Sequence, residues 1–215
     1  MEAMAEQARK VILITDGDDV ARRAVESVAR QVGGRCISLS AGNPSPLGGA
    51  QLVELIKQAA ADPVMVMFDD NGNCGRGLGE QAIEYVLLHP DIEVLGVIAV
   101  ASNTRFVVGT RVQYSVDKDG NIVEDAVDKD GNPLKQLDKH IYGDTVDVLH
   151  KYRIPWVIGI GDIGKMQGKD SLRRGCPVTR KAVEWILERS GWSGKQAAPV
   201  REQNRGEAAH LGRPG

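Results

Sequence analysis

The chain has 215 residues, 42% of them hydrophobic and 26% charged, with 27 Lys plus Arg against 29 Asp plus Glu. That length fits one domain able to bury a full core without staples, and the composition excludes wholesale disorder. A net charge of -2 and 4% aromatic residues argue against a protein that holds nucleic acid by bulk electrostatics and base stacking.

No segment approaches the ~20 apolar residues that span a bilayer. Residues 1–10 are polar, and the apolar run 11–14 is too short for a signal peptide, so the expectation is a cytoplasmic chain. Cys36, Cys74 and Cys176 lack C-x-x-C spacing. They predict a reducing compartment, no disulfide framework and no structural zinc.

Residues 10–15 (KVILIT) form a continuous apolar run ending at Asp16-Gly17, as a strand buried on both faces does. Residues 20–32 carry apolar side chains at helical spacing, and Gly33-Gly34 ends that helix. A short strand is expected at 35–39, a helix at 52–60 and a third buried strand at 64–68 (VMVMF). A helix over 79–88 and a strand over 94–100 follow.

The stretch 111–134 reads differently. The string Val-Asp-Lys-Asp-Gly-Asn occurs twice, at 116–121 and 127–132, between β-type segments. Asp-Gly and Gly-Asn pairs punctuate hairpins. A calcium loop is the alternative for Asp117, Asp119 and Asn121, but the glycine falls at the fourth position and no glutamate stands at the twelfth. A helix over 144–152, a buried strand over 156–160 (WVIGI), a polar loop over 164–175 and a helix over 178–189 complete the pattern.

Alternating β and α segments with apolar strands predict a three-layer α/β sandwich around a mostly parallel sheet, Rossmann-like or Toprim-like, with the hairpin inserted at its edge. Residues 1–9 read as a tail, 10–191 as the domain, and 192–215, which lack any period, as a disordered tail.

Ligands of open parallel sheets bind beyond the carboxyl ends of the strands. Those ends carry Asp16, Asp69, Asp70 and Asp162, so four carboxylates are expected at one crevice. Oxygen ligands suit Mg²⁺, Mn²⁺ or Ca²⁺, which makes Asp16, Asp69 and Asp70 a candidate divalent-metal set. The plainer reading is that these residues cap the helices that follow. Gly72, Gly75, Arg76 and Gly77 before a helix, and Asp162 with Lys165 in GDIGK, form candidate anion loops. Neither has the spacing of a nucleotide motif. His89, His140, His150 and His210 belong to no nucleophile motif, and Cys74 is a lone loop cysteine.

Several strings are distinctive together: VILITDGDDVARRAVESVA, GGRCISLSAGNPSPL, VMVMFDDNGNCGRGLGEQA, HPDIEVLGVIAVASNT, VDKDGNPL, IYGDTVDVL and GIGDIGKMQGKD. From about residue 10 to 189 the chain resembles the soluble stage V sporulation protein AE family of endospore-forming Firmicutes. The resemblance implies a protein encoded with the spore inner-membrane channel machinery for dipicolinic acid, acting in its uptake, its release or germination signalling. It implies other proteins of that machinery as partners, a peripheral place at the membrane, and no catalytic residues.

A second resemblance concerns fold. ILITDGDDVARRA, ISLSAGN and VMVMFDDNGNCGRGLGEQA are similar in order to the Toprim domains of primases and topoisomerases. Those place a glutamate after the first strand and an Asp-x-Asp pair after the third. Here Asp16 stands for the glutamate, and Asn71 for the second aspartate of the pair. The resemblance implies a metal-dependent enzyme of phosphate esters or nucleic acid. The two departures weigh against that activity, because a shorter side chain misplaces a proton. The expectation is therefore a sporulation protein that binds rather than catalyses.

Overall fold

The computed structural model describes residues 7–71, 77–103, 108–135, 139–143 and 145–194. The first half is a run of strand–helix units: β1 (Arg9–Ile14), α1 (Asp19–Gln31), β2 (Arg35–Cys36), α2 (Gly49–Gln58), β3 (Val64–Met67), α3 (Leu78–Leu88) and β4 (Ile92–Val100). Short strands follow: β5 (Thr110–Arg111), β6 (Tyr114–Val116), β7 (Ile122–Val123), β8 (Ala126–Val127), β9 (Pro133–Leu134) and β10 (His140–Ile141). The chain closes with β11 (Val157–Ile160) and α4 (Pro177–Arg189).

Seven strands form one sheet in the order β2-β3-β1-β4-β11-β6-β7, parallel throughout except for β7. Successive strand residues point to opposite faces, and both faces are apolar. Val11 and Leu13 join Val64, Val66 and Phe68 beneath α2 and α3. Ile12 and Ile14 join Met65 and Met67 beneath α1 and α4. Burying each of these side chains fully contributes about 1.5–3 kcal/mol. An unbroken apolar run is what a two-sided parallel sheet requires, and the three-layer α/β fold follows.

The connections place a crevice. β1 leads to α1 on one face of the sheet, whereas its neighbour β3 leads to α3 on the other. Diverging loops at adjacent carboxyl ends leave a gap between them.

Some expected elements differ. The second strand stops after two residues and becomes a 3₁₀ turn at Ser38–Ser40, where the Ser40 hydroxyl donates to the Ile37 carbonyl. The helix expected over 144–152 reduces to a 3₁₀ turn at Leu149–Lys151; Thr145 stands at φ 60°, which no helix accepts. The polar loop 164–175 contains two further 3₁₀ turns.

The hairpin segment forms the edge of the sheet, as expected, and extends it. β6 pairs in parallel with β11, β7 folds back on β6, and β8–β9 forms a separate ribbon. The repeated hexapeptides build the same turn twice. Asp117 Oδ1 accepts from the backbone of Asp119 and Asn121, and Asp128 Oδ1 accepts from Asp130 and Asn132. Gly120 and Gly131 take the left-handed conformation at φ 87° and 77°. The first carboxylate of each string, Asp117 or Asp128, is turned inward to hold its loop, whereas Asp119 pairs with Lys169.

Trp192 is half-buried and packs against the α1/α4 side of the core. Residues 195–215, most of the expected tail, lie outside the described residues.

Candidate functional site

The crevice over the carboxyl ends of β1, β3, β4 and β11 has a volume of about 310 Å³. Asp16, Asp18, Asp69, Asp162 and Lys165 line it, together with Asn43, Asn71, Ser102, Asn103 and Lys129. Three of the four aspartates expected there converge.

The loop after β1 supplies Asp16 and also Asp18. Gly17 allows that loop to meet the one after β2: its carbonyl accepts from the Gly42 amide at 2.8 Å, and a Cβ on Gly17 would stand 2.7 Å from the Gly42 oxygen. This close approach brings Asn43 to the rim. Asp18 caps α1, its Oδ1 accepting from the Ala21 amide at 2.8 Å. Its Oδ2 accepts from Lys165 Nζ at 2.6 Å, and Asp162 accepts from the same ammonium at 2.9 Å. Lys165 therefore clamps the start of α1 to the loop after β11.

Charge is unevenly satisfied here. Burial works against ionisation of Asp18, but the Lys165 ammonium outweighs it and holds the carboxyl below its ordinary range. Burial likewise opposes the charge of Lys165, yet its two carboxylate partners push it above the usual lysine range. Asp16 has no such partner. Burial first, then the Asp18 and Asp162 carboxylates, push it up to about 8. At neutral pH the crevice thus presents a protonated carboxyl beside an ion-paired triad. Such a group can donate a hydrogen bond, or release a proton when a cation arrives.

Asp69 and Asp70 part company. Asp69 is buried at the crevice, and its Oδ1 accepts from the Asn71 amide at 2.8 Å. Asp70 turns to the start of α3, accepting from the amides of Gly79 and Glu80 at 2.7 and 2.8 Å. It is a helix-capping carboxylate, and Gly77 packs so closely on it that a Cβ there would meet the Asp70 carboxylate. The set Asp16, Asp69 and Asp70 is therefore not gathered at one point. Among the described residues no three His, Cys, Asp or Glu side chains are grouped to hold a metal ion. Gly72, Cys74, Gly75 and Arg76 lie outside the described residues.

Several contributors carry no motif. Lys129 comes from the second hexapeptide turn, whose carbonyl at that residue accepts from the Asp162 amide at 2.8 Å. Asp170 is fully buried and accepts from Gly164, Val178 and Thr179 amides and from the Thr179 hydroxyl. It ties the Asp162–Lys165 loop to the start of α4. Beyond Lys165 the backbone takes left-handed conformations at Met166 and Gln167, φ 43° and 55°. Strain of that kind persists only where the surroundings hold it, and here Asp170 and the buried Met166 do so.

Among the described residues no helix is long and apolar enough to cross a membrane. Comparison with curated proteins and with solved structures returns no match. The family description Stage V sporulation protein AE1 matches residues 10–190, which include every described lining residue of the crevice. The chain therefore belongs to the stage V sporulation protein AE1 family, a family of sporulation proteins.

Proposed function

We propose that this sporulation protein acts by binding, as a non-enzymatic peripheral partner of the spore inner-membrane channel machinery for dipicolinic acid. The observation that carries the process is the family match over residues 10–190. The binding reading draws support from how the crevice carboxylates are engaged. Asp70 caps α3, and Asp18 and Asp162 share Lys165, so three of the carboxylates around Asp16 and Asp69 already hold the fold together. The crevice over β1 and β4 is the site at which a ligand would register with the partner.

The test is affinity purification of the tagged chain from sporulating cells, beside Asp16→Asn and Lys165→Met variants. Channel proteins should travel with the wild-type chain. Recovery no greater than from an untagged strain would sink the partnership.

One feature favours a second reading, a metal-dependent enzyme of phosphate esters: the Asp16 carboxyl, pushed up to about 8 by burial and its carboxylate neighbours, lines the crevice beside Asp69. Mg²⁺- or Mn²⁺-dependent hydrolysis of a phosphate ester, abolished in Asp16→Asn and Asp69→Asn, would establish that reading over the first.

A further inference from the structure

At the opposite end of the sheet from the crevice, a groove of about 600 Å³ runs along the amino ends of β6 and β11. Three stretches wall it: β5 to the start of β6, β10, and the segment from the Leu149–Lys151 turn into β11. Each brings basic side chains, namely Arg111, Lys139 with His140, and His150. No Asp or Glu is among the described residues that line it. Lys139 pairs with the exposed Glu124 at 3.1 Å. Arg111 and His150 are exposed and make no ion pair among the described residues.

The floor is apolar. Val112 and Leu149 are buried and Ile154 is half-buried, while the ring of Tyr114 packs on Trp185 of α4. Gln113 fixes the strand ends, its Oε1 accepting from the Val157 amide at 2.7 Å. An apolar floor with convergent donors at the rim is the usual form of a small-molecule site, and the volume suits one. A guanidinium binds a carboxylate through paired hydrogen bonds, whereas the floor would desolvate an attached apolar body. A fully hydrated anion would leave that floor unused, and a neutral apolar molecule would leave the donors unused.

We propose that this groove binds a small organic anion in which a carboxylate is joined to an apolar body, with Arg111 as its principal partner. The site is separate from the crevice and does not depend on it.

The test is an NMR titration of the ¹⁵N-labelled full chain with benzoate, benzyl alcohol and inorganic phosphate. Benzoate should give saturable shifts at the amides of Val112, Tyr114 and Leu149, and the other two probes should need at least about tenfold higher concentration. Arg111→Gln, a surface change that leaves the core intact, should weaken benzoate about tenfold or more. Asp16→Asn in the crevice should leave benzoate binding unchanged. Shifts that never saturate, a response to phosphate or benzyl alcohol equal to that of benzoate, or full affinity in Arg111→Gln would overturn the proposal.

Discussion

Lys165 Nζ and Asp18 Oδ2 stand 2.6 Å apart although 147 residues separate them along the chain. The contact joins the first strand–helix turn to the last loop before α4, so the crevice is closed by the two ends of the domain. Because Asp162 shares the same ammonium, one cation balances two carboxylates and leaves Asp16 to carry the uncompensated burial.

Lys165→Met should therefore do more than remove one ion pair. The pair is about one-third exposed, so its loss costs stability only about 1 kcal/mol. The Asp16 carboxyl, which Lys165 draws downward, should titrate still higher in the variant. Carbon-detected NMR titration of Asp16 reads this directly. An unchanged midpoint would show that Lys165 does not govern the crevice field.

Stability should fall as pH rises toward 8. Asp16 ionises near 3.8 when unfolded but only at about 8 in the fold, so between those values the native state holds a proton that the unfolded chain has lost. By linkage the unfolding free energy then decreases with pH across that window. Asp16→Asn removes this contribution, flattening the profile and giving a gain of at least ~1 kcal/mol at pH 8. Urea unfolding of both proteins at pH 5, 6, 7 and 8 is the measurement. Parallel profiles would mean that Asp16 is ionised in the fold at neutral pH.

Asp170→Ala should be among the most damaging single changes. It leaves the amides of Gly164, Val178 and Thr179 and the Thr179 hydroxyl without their acceptor, in a place water does not reach. The expected cost is about 3 kcal/mol, with Asp170→Asn losing less because one acceptor oxygen remains. Because the residue anchors the Asp162–Lys165 loop, the crevice amides should shift even in the milder variant. A loss under ~1 kcal/mol in the alanine variant would show that the loop is held by other means.

The legible parts of this molecule are those set by period and by strand ends. Runs such as KVILIT and VMVMF suit strands buried on both faces, as in a parallel sheet, and that sheet places Asp16, Asp69 and Asp162 at one rim. What stayed hidden is decided by side-chain direction. Asp69 and Asp70 are adjacent, yet one faces the crevice and the other bends to the amides of α3; the sequence suits either outcome for both. Lys129 was equally hidden, because nothing local says that a hexapeptide turn packs against the loop after β11. Thr145 broke an expected helix through a backbone angle that composition does not encode.

The repeated hexapeptide gives a controlled comparison. Gly120 and Gly131 occupy the same position of the same turn, at φ 87° and 77°, and each therefore resists a side chain for conformational reasons worth about 1 kcal/mol. Their surroundings differ. A Cβ at Gly120 meets nothing within 4 Å, whereas one at Gly131 comes within 2.9 Å of both the Lys118 amide nitrogen and Met166 Sδ. Gly120→Ala should cost only the conformational part, and Gly120→Asn should recover some of it, since Asn tolerates left-handed backbone. Gly131→Ala should cost at least about twice as much, because the Lys118 backbone must also move. The second turn touches the crevice through the Lys129 carbonyl and the Asp162 amide, so Gly131→Ala should also perturb the Asp162 and Lys165 signals while Gly120→Ala leaves them in place. Chemical denaturation with amide NMR of the two alanine variants separates the effects. Equal costs, or equal disturbance of the crevice, would show that the two turns are interchangeable and that the second has no part in shaping the site.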